Sequence, residues 1–405
     1  MTGLLAGVVL LVAVVLALSA ALILARRRLV PDLPVAVTVN DRAPFESRFG
    51  TDLLGALATH DILLPAACGG AGTCGQCRVR VRGETIEPMP AERARLSRAE
   101  RREGMHLACQ IRLRGPVEVE LPEALLDARG FDCTVLRARF LTSLIREIVL
   151  DAPPEVIAAV RAGAFVSLTA PPHEFGFDAI VVPERFAYDW AELRGLRATT
   201  TAPVTRAYSI ASTPADLARG RLVLLIRLAL PPPDRPRLPP GAVSSWLFHV
   251  SEGARIAASG PHGDFRAQDG AREMVLIGGG VGMAPLRAII HERLGEGAPP
   301  LISFWYGARR RDDLFYAEEF AALARQHPKF RFEVALSDPQ PGDRWEGWTG
   351  FVHAALREGF LRDHPEPEAC DYYLCGPPLM IAAVMGVLDE AGVPSNRIFF
   401  DDFGS

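Results

Sequence analysis

Four cysteines have the type and spacing to hold iron and sulfur. Cys68, Cys74 and Cys77 lie in the run CGGAGTCGQC, and Cys109 follows in HLACQ. The pattern is C-x5-C-x2-C with one further Cys after a long gap, as in ferredoxin-type thiolate ligation of an iron–sulfur cluster. Gly69, Gly70, Gly72 and Gly75 suit a loop that turns tightly and aims backbone N–H groups at sulfur. Zinc is the competing chemistry. Structural zinc sites commonly draw on two closely spaced Cys pairs, and Cys74–Cys77 is one such pair without a second. Disulfides suit an oxidising compartment, whereas this chain reads as facing the cytoplasm. A cluster is the favoured reading, with zinc and structural thiols as its alternatives.

A second set of residues suits a dinucleotide. The run Ile277-Gly278-Gly279-Gly280-Val281-Gly282-Met283-Ala284-Pro285 closes an apolar strand and opens a helix. Gly279, Gly280 and Gly282 let a pyrophosphate approach backbone N–H groups at a helix N-terminus, where the dipole favours anions. Pro285 stands in place of the third Gly of a Rossmann fingerprint, and Pro suits a first helical turn. Cys375-Gly376-Pro377-Pro378 ends another strand of the same expected sheet. Cys375 can therefore lie beside a nicotinamide ring; the plainer alternative is a small buried hydrophobe. Asp338, at a third strand end, can accept from a ribose 2′-OH and repels a 2′-phosphate, which favours NADH over NADPH. The run Arg309-Arg310-Arg311 is the contrary feature, as a phosphate attractor or a solvated surface.

A third set suits a flavin. In Arg206-Ala207-Tyr208-Ser209, strand alternation puts Arg206 and Tyr208 on one face. A guanidinium there can bind pyrophosphate, a tyrosine ring can stack on a flavin, and Ser209 can donate to a ring nitrogen. Gly241, Ser244 and Ser245 open a short helix, as a second phosphate site or an ordinary N-cap.

Several domains are needed to position these residues. At 405 residues and a net charge of −4, the chain has room for several cores and lacks the basic stripe that nucleic acid requires. From Leu4 to Ala25 no residue is charged, and Arg26, Arg27 and Arg28 follow at once. An apolar helix of roughly 20 residues spans a bilayer. With no basic residue in the preceding MTG, the positive-inside rule puts the N-terminus outside and the remainder in the cytoplasm. A cleaved signal peptide would carry its basic residues on the other side. Residues 1–30 are thus expected to be a membrane anchor. Residues 33–127 are expected to hold the cysteines, with a strand at PVAVTVN, a short helix over 52–60, a Val/Arg-alternating strand over 76–82 and a surface helix over 91–103. Residues 130–268 contain short β-like runs such as REIVLDA and RLVLLIRLAL, which suggest a small antiparallel barrel with an irregular insertion at 173–204. In 269–405, strands such as EMVLIGGG and CDYYLCG alternate with helices expected at 284–294, 314–326 and 351–358. That alternation implies a parallel sheet with helices on both faces and ligands beyond its C-terminal strand ends.

RAYS, GGGVGMAP and CGPP, in that order, resemble the ferredoxin–NADP⁺ reductase superfamily. The resemblance implies an FAD-binding barrel joined to a nicotinamide-binding α/β domain. The cysteine-bearing segment resembles a plant-type 2Fe–2S ferredoxin of α+β, β-grasp fold, although its C-x5-C spacing is one residue longer than the plant pattern. With the apolar N-terminus, the insertion before RAYS, SFWYGARR, ALSDPQP and the terminal DDFG, the full length resembles the F subunits of bacterial Na⁺-translocating NADH:quinone reductases.

That resemblance implies FAD, NADH and a 2Fe–2S cluster, the last on Cys68, Cys74, Cys77 and Cys109. It puts Arg206, Tyr208 and Ser209 on FAD, with Ser244 and Ser245 near its phosphates. Gly279, Gly280, Gly282 and Pro285 match the pyrophosphate loop, and Cys375 the position beside nicotinamide and flavin. Phe403 corresponds to a terminal aromatic that covers the isoalloxazine, and Asp401 and Asp402 are candidates for supporting roles. The implied activity passes hydride from NADH to FAD, then single electrons to the cluster and on to other membrane subunits of a Na⁺-pumping, ubiquinone-reducing complex of the bacterial inner membrane. A reductase feeding an oxygenase shares the same modules and is the alternative, together with a docking electron carrier.

Overall fold

The computed structural model describes residues 14, 19, 33–60, 62–64, 66, 70–73, 75–83, 86–122, 130–232, 235–263 and 265–402. Among these no helix is long and apolar enough to cross a membrane. The apolar run at 4–25 lies outside them but for Val14 and Ser19. The chain divides into two compact units, Met1–Leu64 with Gly75–Leu126, and Pro65–Cys74 with Asp127–Ser405.

The first unit is built on a five-stranded sheet. Its strands are β1 (Pro34–Val39), β2 (Phe45–Arg48), β3 (Arg78–Arg82), β4 (Met105–Leu107) and β5 (Val117–Glu120), in the order β2-β1-β5-β3-β4. Alternation does what it should. Val35, Val37 and Val39 of β1 are buried, as are Val79 and Val81 of β3, while Arg78, Arg80 and Arg82 are exposed. Helix α1 (Leu53–Ala58) starts where the Asp52 carboxylate accepts from the Gly55 N–H at 2.8 Å, and it buries Leu53, Ala56 and Leu57 on one face. The single surface helix expected over 91–103 is instead two, α2 (Pro90–Arg95) and α3 (Arg98–Arg102). Leu96 turns into the core, and Ser97 and Glu100 form a capping box that starts the chain anew.

The second unit has two parts. In the first, β6 (Gly130–Thr142), β7 (Ile145–Asp151), β8 (Phe165–Ala170), β11 (Val204–Ser209), β12 (Arg221–Arg227) and β13 (Arg255–His262) form an antiparallel sheet in the order β11-β8-β13-β6-β7-β12. Beyond the ladder, Ile210 and Leu224 form an isolated bridge between the two outer strands. Three short helices accompany the sheet: α4 (Pro154–Ala159), α5 (Pro214–Leu217) and α6 (Ala242–His249). The insertion is more ordered than its sequence suggests. Strands β9 (His173–Gly176) and β10 (Arg197–Thr200) pair, and Trp190 anchors the stretch between them. Its ring is fully buried against Phe140 and Phe248, and its indole N–H donates to the Ser143 carbonyl at 2.8 Å.

The second part is a parallel sheet of β14 (Met274–Gly279), β15 (Ile302–Ala308), β16 (Phe330–Leu336), β17 (Trp348–Thr349), β18 (Asp371–Gly376) and β19 (Ile398–Asp402), ordered β17-β16-β15-β14-β18-β19. Helices α7 (Met283–Leu294) and α8 (Ala317–Gln326) cover one face, with Leu286, Ile290 and Phe320 packed on Leu276, Phe304 and Tyr373. Helices α9 (Val352–Leu356) and α10 (Pro378–Glu390) cover the other, with Leu356 and Val384 packed on Ile277, Trp305 and Leu374. Successive residues of one strand therefore serve opposite cores, as a sheet covered on both sides requires. Helix α8 starts three residues later than expected, because Leu314, Phe315 and Tyr316 pack into the interior and Tyr316 turns left-handed at φ 58°. The strand order reverses between β14 and β18, which makes their C-terminal ends a topological switch point.

Candidate functional site

Cys77 immediately precedes β3, and Cys109 lies in the turn after β4. Pairing of Arg78 with Leu107 brings the two together, and the Ala108 N–H donates to the Cys77 carbonyl at 2.8 Å. Both thiols are buried, with their sulfurs 3.3 Å apart. A disulfide needs about 2.0 Å, so no disulfide joins them. Two buried sulfurs facing each other at this separation fit a shared cluster, and Cys68 and Cys74 lie outside the described residues. A carboxylate that the sequence did not single out braces this turn. Glu92 accepts from the Leu107 and Met89 N–H groups, each at 2.8 Å, and sits 3.2 Å from His106 Nδ1. Burial raises its pKa, but the His106 and backbone bonds outweigh burial and hold it below the usual carboxylate value.

At the switch point, the two glycine turns pack on each other. Gly280 adopts φ 55° with open space where a side chain would stand, so its backbone is free for a ligand to approach. Gly282 is restricted for a different reason: a Cβ there would run into the Cys375 carbonyl and the Gly376 nitrogen. Gly282 caps helix α7, which begins at Met283 with Pro285 in its first turn. The Tyr306 hydroxyl donates to the Gly280 carbonyl at 3.1 Å and fixes the loop from below, its phenol pKa raised mainly by burial. Register aligns Gly278, Cys375 and Asp401 across β14, β18 and β19. Cys375 is fully buried. The Ser209 hydroxyl, at the end of β11, approaches Asp401 Oδ2 at 3.5 Å. The strand expected to meet flavin and the strand beside Cys375 therefore come together at one point.

The remaining expected residues are placed as follows. Arg206 and Tyr208 stand opposite Leu168 and Val166 on β8, both half-buried. Gly241 caps α6. The Ser244 hydroxyl is engaged locally: it accepts from the Ala229 N–H and donates to the Gly241 carbonyl, both at 3.1 Å. Ser245 is fully buried, its hydroxyl enclosed by protein. What this helix start offers an outside ligand is its half-buried backbone at Gly241 and Ala242. Asp338 and the arginine run, opposed in the sequence reading, are partners here: Arg309 Nε and Arg310 Nε each lie 3.3 Å from Asp338 Oδ2. Gly279 and Gly376 are within the packed turns, and Phe403 lies outside the described residues.

One further cluster has metal-ligand types. Glu273, His364 and Cys370 present their ligand atoms within 4.8 Å of one another. The Glu366 N–H donates to His364 Nδ1, so in the neutral ring Nε2 carries the proton and donates to Glu273 at 3.2 Å. That tautomer makes the trio a hydrogen-bonded brace at the N-terminal side of the sheet.

Comparisons agree with this architecture. Residues 37–114 match the 2Fe-2S iron-sulfur cluster binding domain, 193–267 the oxidoreductase FAD-binding domain and 276–385 the oxidoreductase NAD-binding domain. An Amycolatopsis cytochrome P-450 reductase of known structure is similar at TM-score 0.61 and 29% identity, over 91% of this chain and 98% of that one. Fold and site thus define an iron–sulfur flavoprotein reductase with FAD, NAD and 2Fe–2S binding domains. Over 403 residues, 98% of each chain, the protein is 40% identical to the F subunit of the Na⁺-translocating NADH-quinone reductase of Yersinia enterocolitica. It is 39% identical over 401 residues to that of Neisseria gonorrhoeae. The chain belongs to this family of F subunits.

Proposed function

We propose that the chain is the NADH-oxidising, electron-input subunit of a membrane Na⁺-pumping NADH:quinone reductase. The supporting observation is the meeting of Ser209, Asp401 and Cys375 at the switch point of the NAD-binding sheet, where a flavin carried by β11 and a nicotinamide carried by the Gly280–Gly282 loop would face each other. FAD held there would supply the conversion from hydride to single-electron transfer, accepting two electrons and a proton together from NADH and passing the electrons on one at a time toward the cluster and neighbouring membrane subunits. The chain's own residues bind and orient. Gly279, Gly280, Gly282 and Pro285 cradle the dinucleotide pyrophosphate, Asp338 selects its ribose, Arg206, Tyr208, Ser209 and the α6 start hold FAD, and Cys68, Cys74, Cys77 and Cys109 hold the cluster. Cys375, Gly376 and Phe403 border the transfer point.

The same reading assigns 1–30 to a membrane anchor with its N-terminus outside, 33–127 to the ferredoxin domain, 130–268 to an FAD barrel closed through the Ile210–Leu224 bridge, and 269–405 to the NADH domain. The test is NADH oxidation by the purified complex and by membranes: NADH must bleach the flavin, and quinone reduction must follow and respond to Na⁺. The similarity to a cytochrome P-450 reductase favours a second reading, a reductase that feeds an oxygenase. NADH consumption that required oxygen and an organic substrate would establish that reading instead.

A further inference from the structure

Polar bridges cross between the antiparallel and parallel parts of the second unit; besides Ser209–Asp401, a linked set of them runs through Arg287 and Tyr316. Arg287 of α7 is only 9% exposed. Its Nη1 donates to the Ala211 carbonyl at 2.6 Å and lies 3.4 Å from Asp216 Oδ2, both on the antiparallel part. Its Nε and Nη2 grip the Glu319 carboxylate of α8 at 2.7 and 3.0 Å. The guanidinium lies 4.6 Å from the centre of the Tyr316 ring. The Tyr316 hydroxyl in turn bonds the carboxylate of Glu147 on β7, which is 2% exposed and held by Arg139 at 2.8 Å and Arg137 at 3.0 Å. A continuous line therefore runs Arg139–Glu147–Tyr316–Arg287–Glu319, ending at His291, which lies 2.8 Å from Glu319.

Position along the chain gives this line its meaning. Arg287 stands one helical turn beyond Gly282, where the glycine loop becomes α7. Ala211, which it grips, stands just beyond Ser209 at the end of β11. The contact thus ties the first turns of the helix after the glycine loop to the segment two residues beyond Ser209. Apolar packing between the two parts is already present in Ile145, Val149 and Ala162 against Met283, Leu286 and Ile289. Buried ion pairs add little stability over apolar packing of the same shape, but a rigid guanidinium fork fixes direction and distance. The left-handed backbone at Tyr316 is held against its own preference to aim that ring.

We propose that Arg287, with Tyr316 and Glu147, is a positioning latch that sets the distance between the nicotinamide loop and the flavin strand. It governs how fast hydride moves and leaves NADH affinity and FAD retention alone. The proposal rests on the functional reading above. The test uses the FAD-loaded complex carrying Arg287→Lys, Tyr316→Phe or both, in anaerobic stopped-flow reduction by NADH. The expected result is a limiting rate of flavin reduction lower by about tenfold for Arg287→Lys and about threefold for Tyr316→Phe, since a small misplacement of reacting atoms is costly. The long-wavelength charge-transfer absorbance of stacked nicotinamide and flavin should weaken in parallel. The NADH Kd and FAD content should stay within about twofold, and the double variant should fall short of the product of the singles, as coupled residues do. A folded, FAD-loaded Arg287→Lys enzyme with an unchanged limiting rate, or with its whole effect in Kd, would overturn the proposal. Loss of FAD from a folded Arg287→Lys protein would likewise overturn it; should Arg287→Lys fail to fold, Tyr316→Phe decides by the same criteria. Failure of the wild-type flavin to accept electrons from NADH would instead refute the functional reading.

Discussion

Replacing Gly282 by Ala isolates one physical cause. At φ −59° the residue sits in ordinary helical space, so Ala carries no backbone penalty there. The added Cβ would collide with the Cys375 carbonyl and the Gly376 nitrogen. Those are backbone atoms of β18, locked into parallel ladders with β14 and β19, so they cannot swing aside as a side chain would. Relief must come from moving the start of α7 and with it the glycine loop proposed to cradle the pyrophosphate. Overpacking of this kind costs about 1–3 kcal/mol. Charged to dinucleotide binding, about 2 kcal/mol is roughly a 30-fold loss of NADH affinity. Gly280→Ala is the internal contrast. Its Cβ meets open space, but φ 55° imposes a left-handed penalty of about 1 kcal/mol. The assay is NADH titration of flavin reduction together with thermal unfolding of the FAD-loaded protein. Gly282→Ala should weaken NADH more than Gly280→Ala and should leave FAD binding intact. An NADH Kd within twofold of wild type for Gly282→Ala would refute the packing of the two turns as the basis of the site.

Acid sensitivity should reside in Glu319. Burial raises its pKa, but hydrogen bonds from His291 and Arg287 and their charges outweigh burial and hold it at about 2, against 4.5 for a free glutamate. A depressed carboxylate contributes stability that is full above about 4.5 and is lost as pH falls toward about 2. At about 1.4 kcal/mol per pH unit the contribution is at most about 3 kcal/mol. The gap in urea midpoint between wild type and Glu319→Gln should therefore be widest at neutral pH and shrink below 4.5; a constant gap would exclude this carboxylate as its source. At the proposed ribose end, Asp338→Ala frees Arg309 and Arg310. The NADPH/NADH ratio of kcat/KM should rise by about tenfold while Tm stays put, because an exposed pair contributes less than about 1 kcal/mol. An unchanged ratio would remove Asp338 from cofactor selection.

The parallel sheet was legible because its buried strands read as apolar runs ending in glycine, as in EMVLIGGG and CDYYLCG. The cysteine unit was legible because its spacing favours a cluster over zinc, and the 2Fe-2S domain matched over residues 37–114 agrees with that reading. Elements failed where a tertiary contact overrode local propensity. The helix expected over 91–103 broke because Leu96 is buried and Ser97 restarts the chain through its own cap. The helix expected from Leu314 began later because Tyr316 is committed to Glu147, 169 residues away in sequence. No periodicity carries such a pairing. Arg287 did leave a signal, a lone charge inside the apolar stretch MAPLRAII, since a buried charge requires a partner. Ser244 and Ser245 show the opposite limit: their position at a helix start was readable, but not that one hydroxyl serves its own backbone and the other is enclosed.

Electron flow from NADH through flavin to the cysteine cluster is tested most directly by low-temperature EPR of NADH-reduced membranes bearing wild-type protein or Cys109→Ala. Wild type should give a 2Fe–2S signal. Cys109→Ala should lose it and lose quinone reduction, while NADH still bleaches the flavin at the wild-type rate. A signal that survives the substitution would refute Cys109 as a ligand, and quinone reduction that continues without the signal would contradict the cluster as the exit for electrons.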